Sequence, residues 1–134
     1  MKIKLDYQTI KQIDVIQKFS GTDVIDCINT PSTIYFVVAQ GQYGKIVGKK
    51  GAKIKAAEKL FKKKIKIFEY DSNIKSFIKN IIPSAKDIII KDKKIFVHVH
   101  KKDRAKAIGS HGENVKTIKM FMQRIFGMED LKVL

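Results

Sequence analysis

The chain has 134 residues, 44% of them hydrophobic, which suits one ordinary domain or two very small ones and argues against wholesale disorder. Its longest apolar stretches, such as "TIYFVVA" and "DIII", are strand-sized and too short to span a bilayer. Basic residues number 28 against 13 acidic ones, and the net charge of +15 calls for a polyanionic partner, nucleic acid ahead of an anionic membrane.

Lysine alternates with apolar residues at the N-terminus, a pattern without the continuous hydrophobic region of a secretory signal. Asp6 then reads as the cap of a helix whose apolar positions are Ile10, Ile13, Ile16 and Phe19, closed by Gly21. β-Rich segments follow around 24–29 and 33–39. The first contains Cys27, the lone cysteine, which excludes an internal disulfide and fits a cytoplasmic protein with a structural thiol in a buried strand. A short helix leads into "KIVGKKGAKI", residues 45–54. A second helix, with Ile54, Ala57, Leu60 and Phe61 on its apolar stripe, and a strand in "KKIKIFEY" complete this half.

Asp71-Ser72-Asn73 reads as a boundary, dividing the chain into 1–71 and 72–134. Ser72 is the expected cap of the next helix, where Ile74, Phe77, Ile78 and Ile81 keep i, i+3, i+4, i+7 spacing until Pro83 ends the run. Strands around 87–91 and 94–100 precede a short helix and "KAIGSHGENV". A final amphipathic helix carries Val115, Ile118, Phe121, Met122 and Ile125, and "EDLKVL" supplies the last strand.

This order is a repeat. A shift of 61 residues brings Gly48 and Gly51 onto Gly109 and Gly112, and lays Ile34, Phe36 and Val38 over Ile95, Val97 and Val99. With eight glycines in the chain, roughly half a Gly-x-x-Gly match arises by chance, so one motif alone is weak. Two in register with matching strands and helices are not. Charge is shared evenly too, with 14 basic and 6 acidic residues in 1–70 against 14 and 7 in 71–134. A basic tail on a neutral body would not divide that way.

At a helix start, unpaired N–H groups and the aligned peptide dipoles favour a phosphate. Gly48 and Gly51 remove the Cβ atoms that would hold a sugar–phosphate backbone away. Lys49 and Lys50 add charge at the tip, flanked by Lys45 and Lys53, while Ile46, Val47 and Ile54 are core residues that could also line a cleft for bases. The second loop, Gly109-Ser110-His111-Gly112 between Ile108 and Val115, is less basic and is followed by Glu113, so weaker phosphate contact is expected there. Lys55, Lys59 and Lys62 lie opposite the apolar stripe and read as a solvated face.

Helix–strand–strand–helix–GxxG–helix–strand resembles the type II KH module, and "IVGKKGAKI" and "AIGSHGENV" match its signature. Two such units in tandem are similar to the archaeal NusA-like transcription factor family. The resemblance implies an α+β fold of two tandem type II KH modules, each a three-stranded sheet covered on one face by helices. It also implies that each loop clamps about four nucleotides of single-stranded RNA. Transcription elongation, termination or antitermination is the implied process, with the transcription machinery as a further partner. The alternatives are ribosomal-RNA binding or ribosome assembly, single-stranded DNA binding, and a KH-fold protein-interaction scaffold.

An enzyme is not expected: no Ser-His-Asp, Cys-His or paired-carboxylate pattern emerges, and the loops are not Walker A sequences. His98 and His100 share a strand face, but two histidines without a third ligand are a weak metal signal. No cofactor, metal or membrane partner is expected, and the chain should be a monomer.

Overall fold

The structure, a computed structural model, describes residues 6–134. Two compact units divide between Asp71 and Ser72. The first runs α1 (Tyr7–Ser20), β1 (Val24–Asn29), β2 (Thr33–Val38), α2 (Tyr43–Val47), α3 (Ala52–Phe61) and β3 (Lys64–Glu69). The second repeats it as α4 (Ile74–Ile81), β4 (Ala85–Lys91), β5 (Lys94–Val99), α5 (Lys101–Ile108), α6 (Glu113–Phe126) and β6 (Asp130–Val133). The architecture is α+β, with two three-stranded sheets.

In each sheet the second strand is central. β1 pairs antiparallel with β2, and β3 lies parallel to β2 with Ile34 opposite Ile65 and Phe36 opposite Ile67. β4, β5 and β6 repeat this, with Ile95 opposite Leu131 and Val97 opposite Val133. Both antiparallel pairs slip register at the equivalent place, between Val24 and Asp26 and between Ala85 and Asp87. The bulge is part of the repeat.

The first core gathers Ile16, Cys27, Ile34, Phe36, Val38, Ile46, Ala57 and Ile65, with Ile54 and Phe61 packed against it. Tyr35 and Val37 face the other way yet are also buried, and the Tyr35 ring sits 6.0 Å from that of Phe68. In the second unit Phe77, Ile78, Ile95, Val97, Ile118, Phe121 and Met122 are all buried, and the Phe77 and Phe126 rings lie 5.6 Å apart.

Three local expectations need correction. The cap of α4 is Asn73 rather than Ser72: its Oδ1 accepts the Ser76 N–H at 3.0 Å, the reach from a cap to the third helical residue. The inner face of α1 is rotated from the apolar stripe. Thr9, Gln12, Ile16 and Ser20 are buried, while Ile10 and Phe19 are 51% and 46% exposed. Ser20 can sit inside because its hydroxyl donates to the Ile16 carbonyl and also bonds the Thr22 hydroxyl. Leu60 is 61% exposed although its counterpart Phe121 is fully buried. Leu60 and Phe61 both lie in the last turn of α3, and Phe61 is the one that packs against the core, whereas α6 continues to Phe126 and keeps Phe121 inside.

Asp6 and Gly21 bound α1 as expected: Asp6 Oδ1 accepts the Thr9 N–H at 2.7 Å, and Gly21 is left-handed at φ 70°. The Thr9 N–H holds the Asp6 carboxyl below its usual value of 3.8. A carboxyl lowered by folding contributes stability above its unfolded value and loses that contribution as pH falls through the folded value. The Asp6→Asn variant, which keeps an acceptor, should therefore lose less helical circular dichroism than the wild type on acidification below about pH 4. Equal losses would show that the Asp6 charge does not matter.

Candidate nucleic-acid interface

The chain enters the first loop from β2 through a short turn, and two side-chain contacts set the start of α2. Asp23 N–H donates to Gln42 Oε1 at 2.6 Å, and Tyr43 N–H donates to Glu69 Oε1 at 3.1 Å. α2 ends at Gly48, whose N–H donates to the Gly44 carbonyl; α5 ends at Gly109, whose N–H donates to the Ala105 carbonyl.

From there the two loops have the same backbone. Gly48 lies at φ 73°, ψ −178° and Gly109 at φ 81°, ψ 170°, a region essentially restricted to glycine. The third positions, Lys50 and His111, are left-handed at φ 55° and 54°, and Gly51 and Gly112 follow at φ 72° and 70°. Gly51 N–H closes on the Gly48 carbonyl at 3.3 Å, and Gly112 N–H on the Gly109 carbonyl at 3.2 Å. Ala52 and Glu113 then donate to the Lys49 and Ser110 carbonyls.

These bonds refine the expected supply of amides, since Gly51, Gly112 and the residues after them are engaged within the turn. The tips remain: Lys49, Lys50, Ser110 and His111 are all exposed. Neither α3 nor α6 has a side-chain cap, in contrast to α1 and α4, which are capped by Asp6 and Asn73.

The other expected site residues separate by depth. Lys45 and Lys53 are exposed around the first loop; Val47 and Ile54 are half-buried beside it, as Ile108 and Val115 are beside the second. Ile46 is 1% exposed and belongs to the core, supporting the loop from below. Lys63, in the conspicuous lysine run, is structural: its Nζ donates to Asn29 Oδ1 and the Thr30 carbonyl, both at 2.8 Å. His98 is half-buried and His100 exposed, and no group of three or more His, Cys, Asp or Glu among the described residues is placed to hold a metal.

Sequence reasoning missed one residue. Asn114, the counterpart of Lys53, is buried and donates from Nδ2 to the Ala107 carbonyl at 3.0 Å, tying α6 to the end of α5. The signal was an amide-bearing residue two positions after a glycine that opens a helix. Asn114→Ala should cost about 1–3 kcal/mol, because the Ala107 carbonyl would lose a buried partner. Urea unfolding of the full chain measures this, and a change below about 0.5 kcal/mol would show the bond to be dispensable.

The KH domain family matches residues 8–82, more than half of the chain and including the first loop. The chain belongs to the KH domain family. Within it, this KH chain is NusA-like. The probable transcription termination protein NusA of Methanococcus vannielii is 35% identical, over 99% of this chain and 80% of that protein. Its namesake from Methanocaldococcus jannaschii is 28% identical, over 99% and 76% respectively. The crystal structure of APE1850 is similar with a TM-score of 0.78 and 25% identity, covering 97% of this KH chain and all of that one. The second loop lies outside the family match and is linked to the first by its matching geometry.

Proposed function

We propose that this KH chain binds single-stranded RNA through two tandem type II KH modules, residues 1–71 and 72–134, and acts in transcription termination or elongation. One observation carries the reading: two loops 61 residues apart share one glycine-dependent backbone, and each opens a helix left uncapped by any side chain. Such a turn presents partial positive charge to an anion. In the first loop Lys49 and Lys50 add full charges, and the half-buried Val47 and Ile54 offer an apolar edge to a base. The transcription role is supported by the names of the relatives and by their coverage of nearly the whole chain.

Fluorescence anisotropy with single-stranded RNA, duplex RNA and matched single-stranded DNA tests the binding. Single-stranded RNA should bind tightest, with log affinity falling against log salt by about 0.7 per phosphate neutralised. Absent RNA binding would sink the reading in favour of a scaffold, and equal affinity for DNA would remove its RNA specificity.

A further inference from the structure

The second unit carries a basic groove that neither glycine loop uses. A cavity of about 470 Å³ lies between α4 and β4, lined by Lys75, Ser76, Lys79 and Asn80 from the helix and by Lys86 and Asp87 from the strand. All six are exposed. Among the described residues, none of the three groove ammonium groups forms an ion pair with a carboxylate. Asp87 offsets part of the charge, leaving an excess of positive groups.

Lysine-rich composition does not account for this placement, because the chain contains its own control. Counting back from the equivalent helix ends, Gly21 and Ile82, the residues Lys75, Ser76, Lys79 and Asn80 correspond to Asp14, Val15, Lys18 and Phe19. The bulges align Lys86 and Asp87 with Ile25 and Asp26. At that place the first unit keeps a single lysine, held 3.0 Å from Asp14. The positive groove belongs to the second unit alone.

We propose that the α4–β4 groove binds the phosphate backbone of single-stranded RNA beyond the nucleotides held at the loops. This rests on the RNA-binding reading. Lys75 and Lys79 are one helical turn apart, with Cβ atoms about 5–6 Å from each other, a step on the scale of successive phosphates along a strand. Long, mobile lysine side chains around an open groove suit a polymer that passes over it. No aromatic residue lines the groove, so it offers no platform for base stacking. Its contribution is affinity without sequence preference.

The test combines Lys75→Ala, Lys79→Ala and Lys86→Ala in the full chain, with a triple arginine variant as the charge-preserving control. Binding is measured over a salt series with single-stranded RNA of about four and about sixteen nucleotides. With the long RNA, the alanine variant should lose about two units of log–log salt slope, from three contacts at about 0.7 each. Its affinity should fall about tenfold, while the short RNA binds within about twofold of wild type and arginine restores both values. An unchanged slope with the long RNA would overturn the proposal while leaving the loops intact. If polyglutamate binding is then lost, the groove is reassigned to acidic proteins. An equal loss on both RNAs would overturn it in favour of general charge steering, and a wild type that binds neither RNA would remove its foundation along with the loop reading.

Discussion

Replacing Lys49 and Lys50 together with aspartate is expected to lower single-stranded RNA affinity by about 1–3 kcal/mol, roughly 5- to 150-fold, while the fold is kept. Both side chains are exposed at the tip of the first loop, so no core contact is lost. Lys50 is left-handed at φ 55°, and aspartate tolerates that conformation better than most residues. Urea unfolding should therefore stay within about 0.5 kcal/mol of wild type. The same exchange at Ser110 and His111 should cost less, because Ser110 carries no charge and Glu113 already places a carboxylate at the following helix start. Unchanged RNA affinity in the Lys49/Lys50 variant would exclude the first loop as a contact.

Gly109→Ala is expected to destabilise the chain by about 3 kcal/mol, more than Gly48→Ala. Both glycines lie where other residues are strained, but the space around them differs. A Cβ on Gly109 would come within 2.7 Å of Asn114 Cβ and 2.9 Å of Asn114 backbone nitrogen. The nitrogen belongs to α6 and cannot move alone, and Asn114 is tied to the Ala107 carbonyl. On Gly48 the Cβ would meet Cγ of Lys53 at 2.7 Å, which can turn toward solvent with the exposed side chain, and Lys53 Cβ at 3.1 Å, a milder contact than the backbone nitrogen beside Gly109. We expect about 1–2 kcal/mol there, mostly backbone strain. Urea unfolding of the two variants provides the comparison. Equal costs would show that conformation alone, and not the crowding by Asn114, sets the requirement for glycine.

Much of the fold was legible because the chain states it twice. Element order followed from periodicity, and the register of the repeat from the glycine pairs. The largest failure arises where polar residues take core positions. Periodicity places Ile10 and Phe19 on the inner face of α1, whereas the helix turns Thr9, Gln12 and Ser20 inward. A pattern of apolar letters cannot anticipate that the Ser20 hydroxyl will find Ile16 and Thr22. Asn73 displaced Ser72 for a similar reason: both residue types cap helices, and only the starting turn decides between them. In the candidate site, glycine spacing located the loops but could not show which amides close on their own turn. Nor could it show that Asn114 braces one loop while Lys53 leaves the other to charge.

The parallel pairing of β2 with β3, and of β5 with β6, has a consequence for how each unit is completed. Parallel neighbours need a crossover connection, and here the crossover is the helix–turn–helix that holds the glycine pair. The glycine turn thus precedes the last strand in the chain and governs its arrival. A fragment ending before that strand would retain only a hairpin, marginal in water, with no third strand to finish the sheet. Errors in the turn should therefore surface first as slow or incomplete folding, ahead of any defect in ligand capture.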